Sequence, residues 1–186
     1  MAPVAAGAPV LLLGGSGPVG GFLIERLAGQ GALLMAVSRQ QPIQSAEHVI
    51  WLQHDLDQGP ADVEPSVLIS LGPLRHALDQ VRTAGRIGRV IALSSASTLF
   101  KMSSSDPAER ALMAELTETE ESLTEACRAR EIDLTLLKPA MIYGTDQNAN
   151  VERVAGLIGR LRVAPYCGQG LRQPVHADDL ARLIVH

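Results

Sequence analysis

The stretch Pro9–Leu27, PVLLLGGSGPVGGFLIERL, decides how the whole chain is read. A short apolar run enters closely spaced glycines and leaves with Val19, Leu23 and Leu27 at helical spacing. Gly15-x-Gly17-x-x-Gly20 is a dinucleotide fingerprint, overlapped by Gly14-x-x-Gly17-x-x-Gly20. Glycine permits a tight turn after the strand, lets phosphate oxygens approach the main chain, and at its last position lets helix and strand meet closely. Pro18 is expected in the first turn of the helix, where its missing N–H costs nothing. The helix amino end then offers free N–H groups and a positive dipole end to a pyrophosphate. A P-loop for nucleoside triphosphates is a poor alternative, because Gly20 is followed by Gly21 and Phe22 rather than by Lys and Ser or Thr.

Outward from this stretch, apolar runs alternate with helical patterns. Strands are expected at 10–13, 32–37, 48–52, 67–70, 89–94 and 132–137, and helices near 18–29, 73–84, 107–130, 149–162 and 177–185. Short, continuously apolar strands separated by helices predict a parallel sheet buried on both faces, and so a doubly wound α/β domain. The 186 residues suffice for one such domain. A serine-rich loop, SSASTLFKMSSSDPAE, follows the fifth strand, on the side where such folds bind ligands.

Composition narrows the partners. A net charge of −4, no basic run and 3% aromatic residues argue against nucleic acid. No apolar stretch approaches the roughly 20 residues of a membrane span. The first residues lack the basic start of a signal peptide. Cys127 and Cys167 have no metal or redox spacing. A soluble, cytoplasmic protein without a metal is the expectation.

The end of the second strand refines the ligand. An NAD site places an acid here for the ribose hydroxyls; this chain has Ser38 and Arg39. A guanidinium grips a 2′-phosphate, so NADP(H) is preferred over NAD(H). Asp55, after the third strand, falls near the adenine amino group or caps a helix, and Gly72, after the fourth, allows close approach to the cofactor.

Together GGSGPVG (14–20), HDLD (54–57), IALSSAS (91–97), LLKPAMIYG (136–144) and LRQPVHADDLA (171–181) resemble the extended short-chain dehydrogenase/reductase superfamily, the NAD-dependent epimerase/dehydratase family. Lys138 stands where that family usually has arginine. The resemblance implies a six- or seven-stranded Rossmann sheet with Ser16, Gly17, Pro18 and Val19 at the pyrophosphate and Ser38 and Arg39 at the adenosine phosphate. Asp55 and Leu56 would meet adenine, Leu71 and Gly72 the adjoining ribose, and Pro139 to Ile142 the nicotinamide side. It also implies a smaller substrate-binding lobe beyond residue 186, so the chain is expected to be a truncated product. The resemblance offers the long helix at 107–130 as a packing surface for a homodimer and leaves the oligomeric state open.

Family members transfer hydride with a tyrosine four residues before a lysine. Tyr143 and Tyr166 are followed at that spacing by Gln147 and Gly170, and Lys101 and Lys138 are preceded by Ser97 and Leu134, so the pair is absent. Five glutamates (Glu115, Glu118, Glu120, Glu121, Glu125) make the long helix read as a solvated acidic face. Ungapped alignment puts Ala96 at the usual catalytic hydroxyl, with Ser95 and Ser97 beside it. Ser95 and Tyr143 remain as candidate catalytic groups. His176 is expected to bond a neighbouring carboxylate, and Asp178 and Asp179 to open the last helix. A dinucleotide-binding sensor or scaffold is the leading reading; an oxidoreductase or epimerase on an unidentified small carbonyl or sugar-like substrate, using a non-standard acid, is the alternative.

Overall fold

Val10, Leu11, Leu12 and Leu13 are all buried, as a strand covered on both faces requires. They form β1 (Pro9–Leu13) at the centre of a sheet in a computed structural model that describes residues 7–40, 49–144, 156–162 and 173–186. The chain continues through α1 (Gly20–Gly29), β2 (Leu33–Ser38), β3 (Val49–Gln53), a 3-10 turn at Leu56–Gln58, β4 (Val67–Ser70), α2 (Leu74–Thr83) and β5 (Arg89–Leu93). There follow α3 (Ser97–Phe100), α4 (Pro107–Ala129), β6 (Asp133–Leu137) and β7 (Met141–Tyr143), then helical residues 156–161 (α5), β8 (Pro174–His176) and α6 (Ala177–Val185).

The main sheet has six strands in the order β3-β2-β1-β4-β5-β6, every pair parallel. Leu11 of β1 sits opposite Met35 of β2 on one side and Leu68 of β4 on the other. β7 and β8 form a separate parallel pair. Alternation along β1 divides the core. Val10 and Leu12 meet α1 and α6 on one face, while Leu11 and Leu13 meet α2 and α4 on the other. This is the doubly wound, Rossmann-type arrangement, and the direction of winding reverses between β1 and β4.

Polar contacts tie each helical layer together. On one face the Arg26 guanidinium of α1 donates to Asp178 Oδ1 of α6 from Nε at 3.0 Å and Nη2 at 2.5 Å. On the other, Arg130 at the end of α4 donates to three carbonyls at the end of α2: Val81, Ala84 (2.5 Å) and Gly85 (2.8 Å). Those carbonyls have no partner within the helix, and a cation suits the negative end of its dipole. α4 starts where expected, with Pro107 in its first turn and the Asp106 carboxylate accepting from Ala108 N at 2.9 Å.

Several expectations need correction. Pro18 precedes the helix, because Val19 is the N-cap and Leu23 N bonds Val19 O at 3.0 Å. Pro18 instead belongs to consecutive turns in which Gly17 N bonds Gly14 O and Gly20 N bonds Gly17 O, each at 3.0 Å. Residues 56–58, α3, β7 and β8 form short elements below the length at which periodicity shows. The helix expected at 149–162 is described over 156–162 and helical over 156–161, while residues 149–155, like Cys167, lie outside the described residues.

The side chain of Gln80 shows how the loop after β3 is held. It is 1% exposed, accepts from Ala61 N and donates to Ala61 O, both at 2.9 Å. Gln80→Leu would strand two main-chain groups at roughly 1–3 kcal/mol each. Urea denaturation should therefore show a loss of about 2–6 kcal/mol; an unchanged midpoint would show that the bridge contributes nothing.

Candidate functional site

The glycine loop is shaped by side chains that are missing. A Cβ at Gly20 would fall on the main chain of Gly15, so any other residue would push α1 off the loop. Gly14 has φ +82°, and a Cβ there would lie 3.1 Å from Gly72 N. Gly14 and Gly72 therefore stand side by side at the reversal point between β1 and β4, where crevices open in such sheets. Toward open space a Cβ at Gly72 would meet nothing within 4 Å.

A cleft of about 260 Å³ opens there, at the carboxyl ends of β1, β2, β3 and β4. Its lining brings together Gly14, Ser16, Ser38, Arg39, Asp55, Leu56 and Gly72 from the expected site residues. The volume is below the roughly 300–1,000 Å³ of a pocket that encloses a whole drug-sized ligand. Gly17, Pro18 and Val19 are not part of this lining; Val19 turns its side chain into the core at 3% exposure. Leu71 donates its amide to Leu13 O at 2.9 Å and rests on the core.

Asp55 acts as a cap: its carboxylate accepts from Asp57 N at 3.1 Å and starts the 3-10 turn. Ser38 Oγ accepts from Gln40 N at 3.3 Å, and Arg39 is exposed at the rim. The cleft also contains groups that the sequence reading missed. Asp57 Oδ1 is bonded by Arg75 Nη2 at 2.6 Å and by His76 Nε2 at 3.0 Å. The hydrogen bonds from Arg75 and His76 hold the Asp57 carboxyl below its ordinary range. Arg75 and His76 lie within four residues of Gly72, so their place just past β4 was the available signal.

The second group of expected residues converges at the ends of β5 and β6. Ser94 N bonds Leu137 O at 2.8 Å and Ala96 N bonds Pro139 O at 3.1 Å, carrying the ladder past the strands. Ser95 Oγ accepts from Ser97 N at 3.1 Å, just ahead of α3, whose N-cap is Ala96. Ile142 rests on the core beneath. The Tyr143 ring stands edge-on to His176, centroids 5.2 Å apart. His176 departs from expectation: its Nδ1 accepts the Asp178 main-chain N–H at 3.1 Å, capping α6, rather than bonding a carboxylate. Asp178 and Asp179 occupy the first turn of α6 as expected, and hydrogen bonding by Arg26 lowers the Asp178 pKa.

The acidic face of α4 is not wholly solvated. Glu120 is 6% exposed; it accepts from Ser94 Oγ and, at Oε2, from Lys138 Nζ at 2.5 Å. Lys138 Nζ also reaches Thr98 Oγ1 at 3.5 Å. With Glu121, Glu125 and Arg128 the pair borders an open hollow of about 480 Å³ beside β6. A glutamate on the buried stripe of an otherwise acidic helix gives no sign of itself until its partner, 18 residues later, is known.

No protein-family model and no curated protein matches the sequence. Solved structures share the fold. An epimerase of Methanothermobacter thermautotrophicus superposes with TM-score 0.69 at 16% identity, over 97% of this chain and 67% of its own. Vestitone reductase from alfalfa gives 0.67 at 17%, covering 96% and 72%. UDP-glucuronic acid 4-epimerase from Bacillus cereus, solved with NAD, gives 0.71 at 13%, covering 95% and 71%.

Lys138→Met should leave Glu120 uncompensated and cost about 3–5 kcal/mol, reduced by the 29% exposure of the lysine side chain. Adding Glu120→Leu should recover most of that loss in a denaturation cycle. Two losses that simply add would mean the pair does not act as a unit.

Proposed function

We propose that the chain binds a nicotinamide dinucleotide, NADP(H) in preference to NAD(H), as a non-catalysing member of the epimerase/dehydratase type that senses or scaffolds. The observation that carries this reading is the cleft at the β1–β4 reversal, where Gly14 and Ser16 of the glycine loop, Arg39 and Asp55–Leu56 share one lining. These residues fit the group. The bare loop accepts a diphosphate, Ser38 and Arg39 offer donors to an adenosine phosphate, and Asp55 and Leu56 flank the adenine position. Pro139 to Ile142 would border the nicotinamide.

When bound, the nicotinamide supplies hydride chemistry. The chain's own groups favour holding over turnover. Ser95 Oγ accepts the Ser97 main-chain N–H, Ser94 and Lys138 are committed to Glu120, and the sequence has no tyrosine–lysine pair at helical spacing. The superposed enzymes, one solved with NAD, lend support through the fold they share with this chain.

Trp51 gives the readout. Its indole edge lies 3.5 Å from the Cβ position of Gly15, directly under the loop, and it is the sole tryptophan. Titration of NADP(H) should change its fluorescence at lower ligand concentration than NAD(H). Arg39→Ala should cost the phosphorylated form about tenfold, and NADPH should remain unoxidised across a panel of carbonyl compounds. Preference for NAD(H) would overturn the Arg39 reading; steady NADPH oxidation would overturn the non-catalytic one.

A further inference from the structure

Resting on the dinucleotide reading above, we infer that Arg75 is a second reader of the adenosine end, forming with Arg39 a two-sided guanidinium clamp for a phosphate monoester on the ribose. Arg39 comes from the end of β2 and Arg75 from the first turn of α2, yet both line the same cleft. The two approach from different elements, with Asp55 and Leu56 contributing to the same walls.

Arg75 is held rather than loose. Asp57 Oδ1 takes one Nη2 bond at 2.6 Å, and His76, whose side chain is 10% exposed, fixes the same oxygen at 3.0 Å. One guanidinium carries five N–H donors in a rigid plane. The bond to Asp57 uses an Nη2 donor, and the Arg75 side chain is 58% exposed at the cleft. Asp57 is thus a positioning residue that presents the guanidinium, while His76 holds the carboxylate from the buried side.

The charges decide what such a site can take. Arg39 and Arg75 share one lining with Asp55 and Asp57, so the cleft is near neutral rather than a general anion trap. A 5′-monophosphate alone gains little there. A second phosphate gains only where it reaches the guanidiniums, which makes the clamp a discriminator between phosphorylated and plain adenosine ribose.

The test uses ligands that contain only this end, adenosine 2′,5′-bisphosphate and adenosine 5′-monophosphate, bound to the full chain and followed by calorimetry. The native chain should prefer the bisphosphate. Arg75→Ala should weaken the bisphosphate at least about tenfold and the monophosphate less than about twofold, with Arg75→Lys between. Equal weakening of both ligands would mean that Arg75 packs on adenine, and overturns the clamp. So would loss of discrimination in Arg39→Ala but not in Arg75→Ala, which leaves the NADP(H) reading standing. A native chain that does not discriminate overturns both. An unchanged thermal midpoint in Arg75→Lys and Arg75→Ala keeps folding apart from binding.

Discussion

The rest of the structure depends on the contact between Gly20 and the Gly15 main chain, two positions with no side chain between them. Because nothing separates them, α1 starts close against the loop that leaves β1 and lies along the sheet. Val19, Leu23 and Leu27 then fill one face of the core together with α6. A second close approach, Gly14 against Gly72 at the ends of the paired strands β1 and β4, stands at the cleft between the two halves of the winding. Fold and cleft rest on neighbouring glycine contacts.

At the other end of the crevice the constraint is electrostatic. Withdrawing Glu120 and Lys138 from water costs several kcal/mol per ion, which only close pairing and additional hydrogen bonds offset. Ser94 and Thr98 provide those bonds, tying the ends of β5 and β6 to α3 and α4. The arrangement commits Ser94 and Thr98, at the start of the serine loop, to the buried pair. One end of the crevice is open and lined by two guanidiniums and two carboxylates, while at the other a buried pair is satisfied internally.

How much of this was legible follows from periodicity and its limits. The strand at 67–70 and the helix at 177–185 appear with the expected bounds, since a buried strand and an amphipathic helix bounded by turn residues write themselves in local pattern. The glycine loop was readable for the same reason. Arg75, His76 and Asp57 were not, because their meeting depends on β3 and β4 delivering two loops to one place, 18 to 19 residues apart. Glu120 misled because charge on a helix is usually solvated, and only the register of α4 against β6 makes that one position inward. His176 was read as an acid's partner although the nearest donor, the amide two residues on, was adjacent in sequence.

Arg130 has a mechanical consequence. Its guanidinium closes the end of α2 from the end of α4, while Leu123 and Cys127 of α4 share a core with Ala77 and Val81 of α2. Lifting either helix exposes the carbonyls and the apolar floor of both. The two helices on this face should therefore detach as one cooperative unit, a shutter hinged on the sheet. α2 begins beside the cleft, so such a unit carries part of the cleft's lining with it.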